Sequence, residues 1–276
     1  FYFLSGVSMK RLIQVGFIVF ALMSLASASL ADNFVNGLRA YNSGDYKKAH
    51  ELWLIEAVKD NAATQSSLAL SAQFYLGILY YNGQGVPQDY VEAAKWYHLV
   101  ADQWHLAERY SPIDNAQLNL GLMYARGQGV PQDQKQAVEW FRLSAELGNV
   151  EAQLNLGVMY YNGQGVPQNY VEAAKRYRLA AEQGYVNSQL YLGEMYYNGQ
   201  GVPQDYVESA KWYRMAADQG HDEAQLNLGV MYRNGQGVPQ DYVESAKWYR
   251  LAADQEHAEA QLNLGVMYRN GQGVPQ

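Results

Sequence analysis

Acidic residues at short, repeated spacing are the first candidates for chemistry. Asp89/Glu92, Asp205/Glu208 and Asp241/Glu244 each set two acids three positions apart, with Asn169/Glu172 and Asp133/Gln136 as variants. Paired carboxylates are the material of general acid–base catalysis. The same spacing is also that of a capping box, in which the first side chain accepts from a helix's first turn and the acid reaches back. Each pair opens a helix-forming run such as "YVEAAKRYRLAAEQ", so the spacing predicts capping rather than catalysis. Ser209 and Ser245 each have a lysine two residues on, Lys211 and Lys247. Positions i and i+2 point to different helix faces, so neither lysine activates its serine. The five histidines, His50, His98, His105, His221 and His257, include no i, i+4 pair of the kind a helical metal site needs. The recurring "GQG" lacks a third glycine and a following Lys-Ser/Thr, and it follows a helical rather than a strand pattern, so it is no phosphate cradle. No catalytic, metal-binding or cofactor-binding residue is assigned, and no cofactor is expected.

The bulk composition narrows the class further. Of 276 residues, 49% are hydrophobic and 17% charged, an ordinary globular mix. The formal charge of −7, with no basic stripe, speaks against a nucleic-acid partner. There is no cysteine, which excludes disulfides and thiolate chemistry and is compatible with an oxidising compartment.

The elements that position these residues are set by a repeat. The first glycines of "GQGVPQ" are Gly83, Gly127, Gly163, Gly199, Gly235 and Gly271, spaced by 44 and then by 36 four times. A fixed period in this range means stacked supersecondary units. In the unit 149–184, Ala152, Leu156 and Tyr160 fall on one face of a first helix, A. Gly163 and Gly165 end it with positive φ in a tight loop, Pro167 blocks early resumption, and Asn169 starts helix B. Val171, Ala174, Tyr177 and Ala181 form one apolar face of helix B, which stops at Gly184. Helix A carries an interior glycine in every unit: Gly77, Gly121, Gly157, Gly193, Gly229 and Gly265. Interior glycine costs about 1 kcal/mol relative to alanine, so its recurrence predicts close approach of helix B. Trp96, Trp140, Trp212 and Trp248 are the expected large neighbours, with Arg176 the exception.

These residues resemble the Sel1-like repeat, a tetratricopeptide-like family. Ala224, Leu228, Gly229, Tyr232, Gly235, Gly237, Val238 and Asp241 follow its pattern, continued by Ala246, Trp248, Ala252 and Ala253. The resemblance covers roughly 72–276, and "GLRAYNSGDYKKAHELW" (37–53) is similar to a degenerate first unit. It implies an all-α fold, a right-handed α-solenoid of antiparallel helix pairs with A helices lining the concave face. It implies protein–protein scaffold or adaptor work, at the host interface for some exported bacterial members. The alternatives are cell-wall glycan (peptidoglycan) binding and, because some members carry a β-lactamase label, a hydrolase. A serine enzyme of that kind needs Ser-x-x-Lys, Ser-Asp-Asn and Lys-Thr-Gly, and none occurs. Glu256 departs from the pattern where glycine is expected after helix B (compare Gly184 and Gly220), as does Arg176 where tryptophan is expected.

The domain organisation follows. Residues 1–8 look like translation upstream of Met9. Residues 9–31 are a secretory signal, with Lys10 and Arg11, an apolar run over 12–26, and small residues allowing cleavage after Ala28 or Ala31. A degenerate helix pair and insertion occupy 32–71. The array fills 72–276 and is interrupted by Gln276 inside another "NGQGVPQ". An exported product, periplasmic or secreted and without a membrane span after cleavage, is expected. A second insertion, Gln103–Asp114, reads either as an extended helix B with a loop or as a protrusion that contacts a partner.

Helical geometry selects a face of helix A turned away from the Leu156/Tyr160 core. Its positions are Tyr75, Ile78 and Asn82; Asn119 and Leu122; Asn155, Val158 and Asn162; Tyr191, Glu194 and Asn198; Asn227, Val230 and Asn234; Asn263, Val266 and Asn270. This ladder of amides, aliphatics and tyrosines suits an extended peptide, whose backbone needs donors and acceptors. The adjacent position varies, Tyr81, Ala125, Tyr161, Tyr197, Arg233 and Arg269, as partner choice would require.

Overall fold

The computed structural model describes residues 33–58, 67–103 and 112–273. The signal segment, residues 59–66, most of the Gln103–Asp114 insertion (104–111) and residues 274–276 lie outside the described residues. Thirteen helices and no strand are present among the described residues. They are α1 over 33–42, α2 Tyr46–Ala57, α3 Ser67–Asn82, α4 Tyr90–Ala101, α5 Pro112–Arg126, α6 Gln134–Glu146 and α7 Val150–Asn162. Then follow α8 Tyr170–Glu182, α9 Val186–Asn198, α10 Tyr206–Asp218, α11 Asp222–Asn234, α12 Tyr242–Asp254 and α13 Ala258–Asn270. Two compact units divide them: α1–α4 with the loop 127–131, and α5–α13. Within each, a helix packs chiefly on its neighbours in sequence, the one-dimensional arrangement of a solenoid.

Backbone accounting explains the loop from A to B. At the end of α7, Met159 O accepts from Gly163 N and Gln164 N, Tyr160 O from Asn169 N at 2.9 Å, and Tyr161 O from Gln168 Nε2 at 2.8 Å. The carbonyls that a helix C-terminus leaves unpaired are thus taken by its own loop. Gly163 is left-handed (φ 68°) at the cap. Gly165 is also left-handed, and a Cβ there would lie 2.2 Å from Gln134 O, at the start of the preceding B helix. Its bare backbone is what lets one unit's loop sit on the previous unit.

The acid pairs do cap, but only by half of the expected box. Asp205 Oδ1 accepts from Val207 N at 2.9 Å and Glu208 N at 3.1 Å. The reciprocal bond is absent, because Asp205 N already donates to Tyr196 O. The glutamate turns outward to lysine instead, as in Glu92–Lys95 at 2.8 Å and Glu208–Lys211 at 3.4 Å.

Two expectations about packing are corrected. The ring against each interior glycine is not the tryptophan but the aromatic one residue later. A Cβ at Gly77, Gly121, Gly157, Gly193 and Gly229 would meet Tyr97, Phe141, Tyr177, Tyr213 and Tyr249 at 2.5–2.7 Å. Trp212 and Trp248 point instead toward the preceding unit. Trp212 is buried with Ala173, Tyr177 and Leu192, and Trp248 with Leu190, Tyr213 and Leu228. Arg176 therefore disturbs an inter-unit contact and not the glycine crossing. Second, Val171 is exposed, as are Val91, Val207 and Val243. Helix B buries an alanine-rich stripe, Ala173, Ala174, Ala180 and Ala181 about Tyr177, and leaves the valine of its first turn in water.

Candidate functional site: hollows along the A helices

A buried glutamine ties the units together, and periodicity did not single it out. Gln189 of α9 donates from Nε2 to Ala181 O of α8 at 3.2 Å, and its Oε1 accepts from Gln219 Nε2, just past α10, at 2.8 Å. Gln225 repeats this with Ala217 O and Gln255. Gln153 does so with Ala145 O and Gln183. Each amide spans three consecutive helices, satisfying a carbonyl that burial would otherwise leave costly. Their only sequence signal is recurrence beside the core alanine, in "AQL" or "SQL".

Against this frame the expected ladder residues fall into two groups. Some are brought together. Val158, Tyr161 and Asn162 of α7, Tyr177 of α8, and Tyr191 and Glu194 of α9 line one hollow of about 220 Å³. Glu194, Tyr197 and Asn198 of α9, Tyr213 of α10, and Glu223, Asn227 and Val230 of α11 line the next, of about 260 Å³. Val266 and Arg269 border a third depression on α13 with Gln261, Leu262 and Gly265.

Others are held by their own surroundings. Asn155 Nδ2 turns back to Glu151 O, and Asn234 and Asn82 donate to the loop glutamines Gln236 and Gln84. Asn263 accepts from Arg233 at 3.4 Å. Leu122 packs on the Leu118/Phe141 cluster, near half-buried Asn119. In the first unit, Ile78 is half-buried, and Tyr75 stacks on Trp53 with ring centroids 4.7 Å apart. Asn270 is exposed, and the carbonyl of Ala125 accepts from Gln132 and Gln134.

The variable position has structural work as well. The hydroxyls of Tyr81, Tyr161 and Tyr197 donate to Gln128, Gln200 and Gln236, each in the following loop, at 3.0–3.2 Å. Their rings also meet Tyr90, Tyr170 and Tyr206 edge-on.

Sequence reasoning missed Tyr177, Tyr213 and Glu223 as lining residues. The two tyrosines are almost fully buried and form floors, so they read as core. Glu223 lies one turn before Asn227 and pairs with His257 Nε2 at 3.1 Å.

Electrostatics make Glu194 distinct. Burial first, and the like charge of Glu223 second, push its carboxyl up to about 7. Burial likewise raises Tyr177 and Tyr213. Neither hollow is lined by a basic residue. The remaining reactive side chains are otherwise employed. Ser209 and Ser245 are fully buried, and Ser245 Oγ donates to Gly229 O. Among the described residues no cluster of three His, Asp or Glu is placed to hold a metal ion.

Helix pairs joined one to the next, with a solvent-filled hollow at the joints, define an α-solenoid repeat protein. The Sel1 repeat model matches residues 70–103, 114–149, 150–185, 186–221, 222–257 and 258–276, and the chain belongs to the Sel1 repeat family. A protective antigen of uropathogenic Escherichia coli displaying an SLR fold superposes with a TM-score of 0.80 at 34% identity. That match covers 96% of this chain and 52% of the antigen, so this chain spans about half the antigen's length. A Sel1 repeat protein from Oxalobacter formigenes matches with a TM-score of 0.71 at 31% identity, over 89% of this chain and 91% of that one. No curated protein matches the chain. Sel1 repeat proteins are generally protein–protein interaction scaffolds. No helix among the described residues is long and apolar enough to cross a membrane.

Proposed function

We propose that the chain is a non-enzymatic adaptor of the bacterial cell envelope or exterior, holding an extended segment of another protein along its A helices. The observation that carries this reading is the succession of hollows at α7–α9 and α9–α11. They are lined by amides, tyrosines and aliphatics in the register of the repeat. Successive hollows share Glu194, so a ligand passing from one to the next must be elongated. Export rests on the basic, apolar and small-residue succession from Lys10 to Ala31. The likeness to a protective antigen fits a chain presented outside the cytoplasm.

Two parallel measurements test the adaptor role. The secreted or periplasmic chain is crosslinked in its native envelope and recovered, and separately it is mixed with isolated peptidoglycan and pelleted. One stoichiometric protein in the first, with the chain left in the supernatant of the second, is the expected result. Retention in the pellet without a protein partner would overturn the adaptor reading in favour of glycan.

A further inference from the structure

The proposal concerns the ligand chemistry of the α7–α9 hollow, and it rests on the adaptor reading. We propose that this hollow is a recognition site for one cationic side chain, arginine or lysine, carried by the partner segment.

Three tyrosines, Tyr161, Tyr177 and Tyr191, line the hollow together with the Glu194 carboxylate. The centroids of Tyr177 and Tyr191 are 5.3 Å apart with planes inclined by 43°, which makes an angled aromatic wall. Ring faces attract cations, more strongly where water is thinned out. A carboxylate at the rim adds a counter-charge and hydrogen-bond acceptors.

Comparison along the array shows that this joint differs from its neighbours. Where α9 has Glu194, α7, α11 and α13 have Val158, Val230 and Val266; where it has Tyr191, they have asparagine. Neither change serves the fold that the other units build without them. The other acids on these helices have partners: Glu172 and Glu208 meet lysine, and Glu223 meets His257. Among the described residues Glu194 has neither an ion pair nor a hydrogen bond. The groups facing it are Tyr177 and Tyr213 of the B helices, Tyr161 of α7, Tyr191 and Tyr197 of its own helix, and Glu223 of α11. All are neutral or acidic, so the missing cation is not supplied from within.

A half-withdrawn carboxylate without a partner is costly, and an incoming cation would remove that cost. An apolar side chain would deepen it, and an anion would be repelled by both glutamates. The carboxyl's elevated proton affinity has the same origin, and a bound guanidinium would lower it by stabilising the ionised form.

The test uses the full chain and two acetylated, amidated heptapeptides. One is glycine-serine-asparagine-arginine-asparagine-serine-glycine; the other carries citrulline, the neutral isostere, at the centre. Binding is followed by NMR titration at pH 7.5. The arginine peptide is expected to bind at least about tenfold more tightly, since ion pairing and ring contacts together exceed 1.4 kcal/mol. It should perturb the Tyr161 and Tyr191 signals and weaken from pH 8 to pH 6, while the citrulline peptide stays level. The preference should vanish in Glu194→Val, which has the residue the other units use and so retains the fold, and in Glu194→Gln. Equal binding of the two peptides, binding of neither, or a preference that survives in Glu194→Val overturns the cation site. A partner captured equally by the parent and Glu194→Val chains would overturn the cation site alone, leaving the adaptor reading intact.

Discussion

Tyr213 lies flat against the backbone of Gly193, where a Cβ would come within 2.7 Å of its ring. The contact is the joint of one helix pair, and the same joint recurs at Gly229 with Tyr249. At Gly265 nothing lies within 4 Å. The two glycines should therefore respond to alanine with opposite signs. Gly193→Ala forces a buried ring to move and is expected to cost about 1–3 kcal/mol. Gly265→Ala gains helix propensity without a clash and should stabilise by up to about 1 kcal/mol. Urea denaturation of both variants checks this; a shared sign would contradict the joint.

Glu256 occupies a left-handed position (φ 65°) that Gly184 and Gly220 fill in the preceding units. Its amide still donates to Ala253 O, so the turn is kept at the expense of backbone strain. Space is open at Gly184 and Gly220, so only conformation is at issue. Glu256→Gly should stabilise the chain by about 1 kcal/mol, and Gly220→Ala should destabilise it by a similar amount. A thermal melt in which Glu256→Gly lowers the midpoint would refute this.

Removing one rung of the glutamine series should weaken coupling between units. Gln189→Leu leaves Ala181 O and the Gln219 amide without their buried partner. A loss of about 1–3 kcal/mol is expected. Hydrogen exchange should localise it to α8–α10. Unchanged exchange there would show that the rung contributes nothing.

Glu194 makes stability depend on pH in an unusual direction for an acid. Its proton affinity is raised by folding from 4.5 to about 7. Folding thus favours the neutral form: the contribution is present in full below about pH 4.5 and is lost as pH rises through about 7. Glu194→Gln stays neutral throughout. It should gain stability relative to the parent between pH 5 and pH 8, whereas Glu208→Gln, on an exposed ion pair, should not. A gap that narrows with rising pH would contradict the burial of Glu194.

Most of the architecture was legible because it is local. The 36-residue period, the loop glycines and the Asp205-type caps are set by backbone conformation within a few residues. What lay beyond reach depends on how helices are rotated against each other. Trp212 and Tyr213 are adjacent, large and aromatic, and only the crossing geometry decides which one meets Gly193. Val171 looked like core because its spacing fits, yet the helix turns its alanines inward. For the site, Glu194 and Tyr191 were readable as rungs of a face. Their depth was not, because the floor comes from Tyr177 and Tyr213 on other helices. The glutamine series escaped notice because polar residues beside a core position look solvated until their partners, 8 and 30 residues away, are placed.

Site-specific photocrosslinking in the native cells tests the adaptor account most directly. The photoreactive residue is placed at Asn162, on the rim of the α7–α9 hollow, or at exposed Val207 on α10. The account predicts one defined protein product from Asn162, joined next to an arginine or lysine and reduced at least severalfold by Glu194→Val, with no such product from Val207. The same product in the same yield from both positions would contradict it.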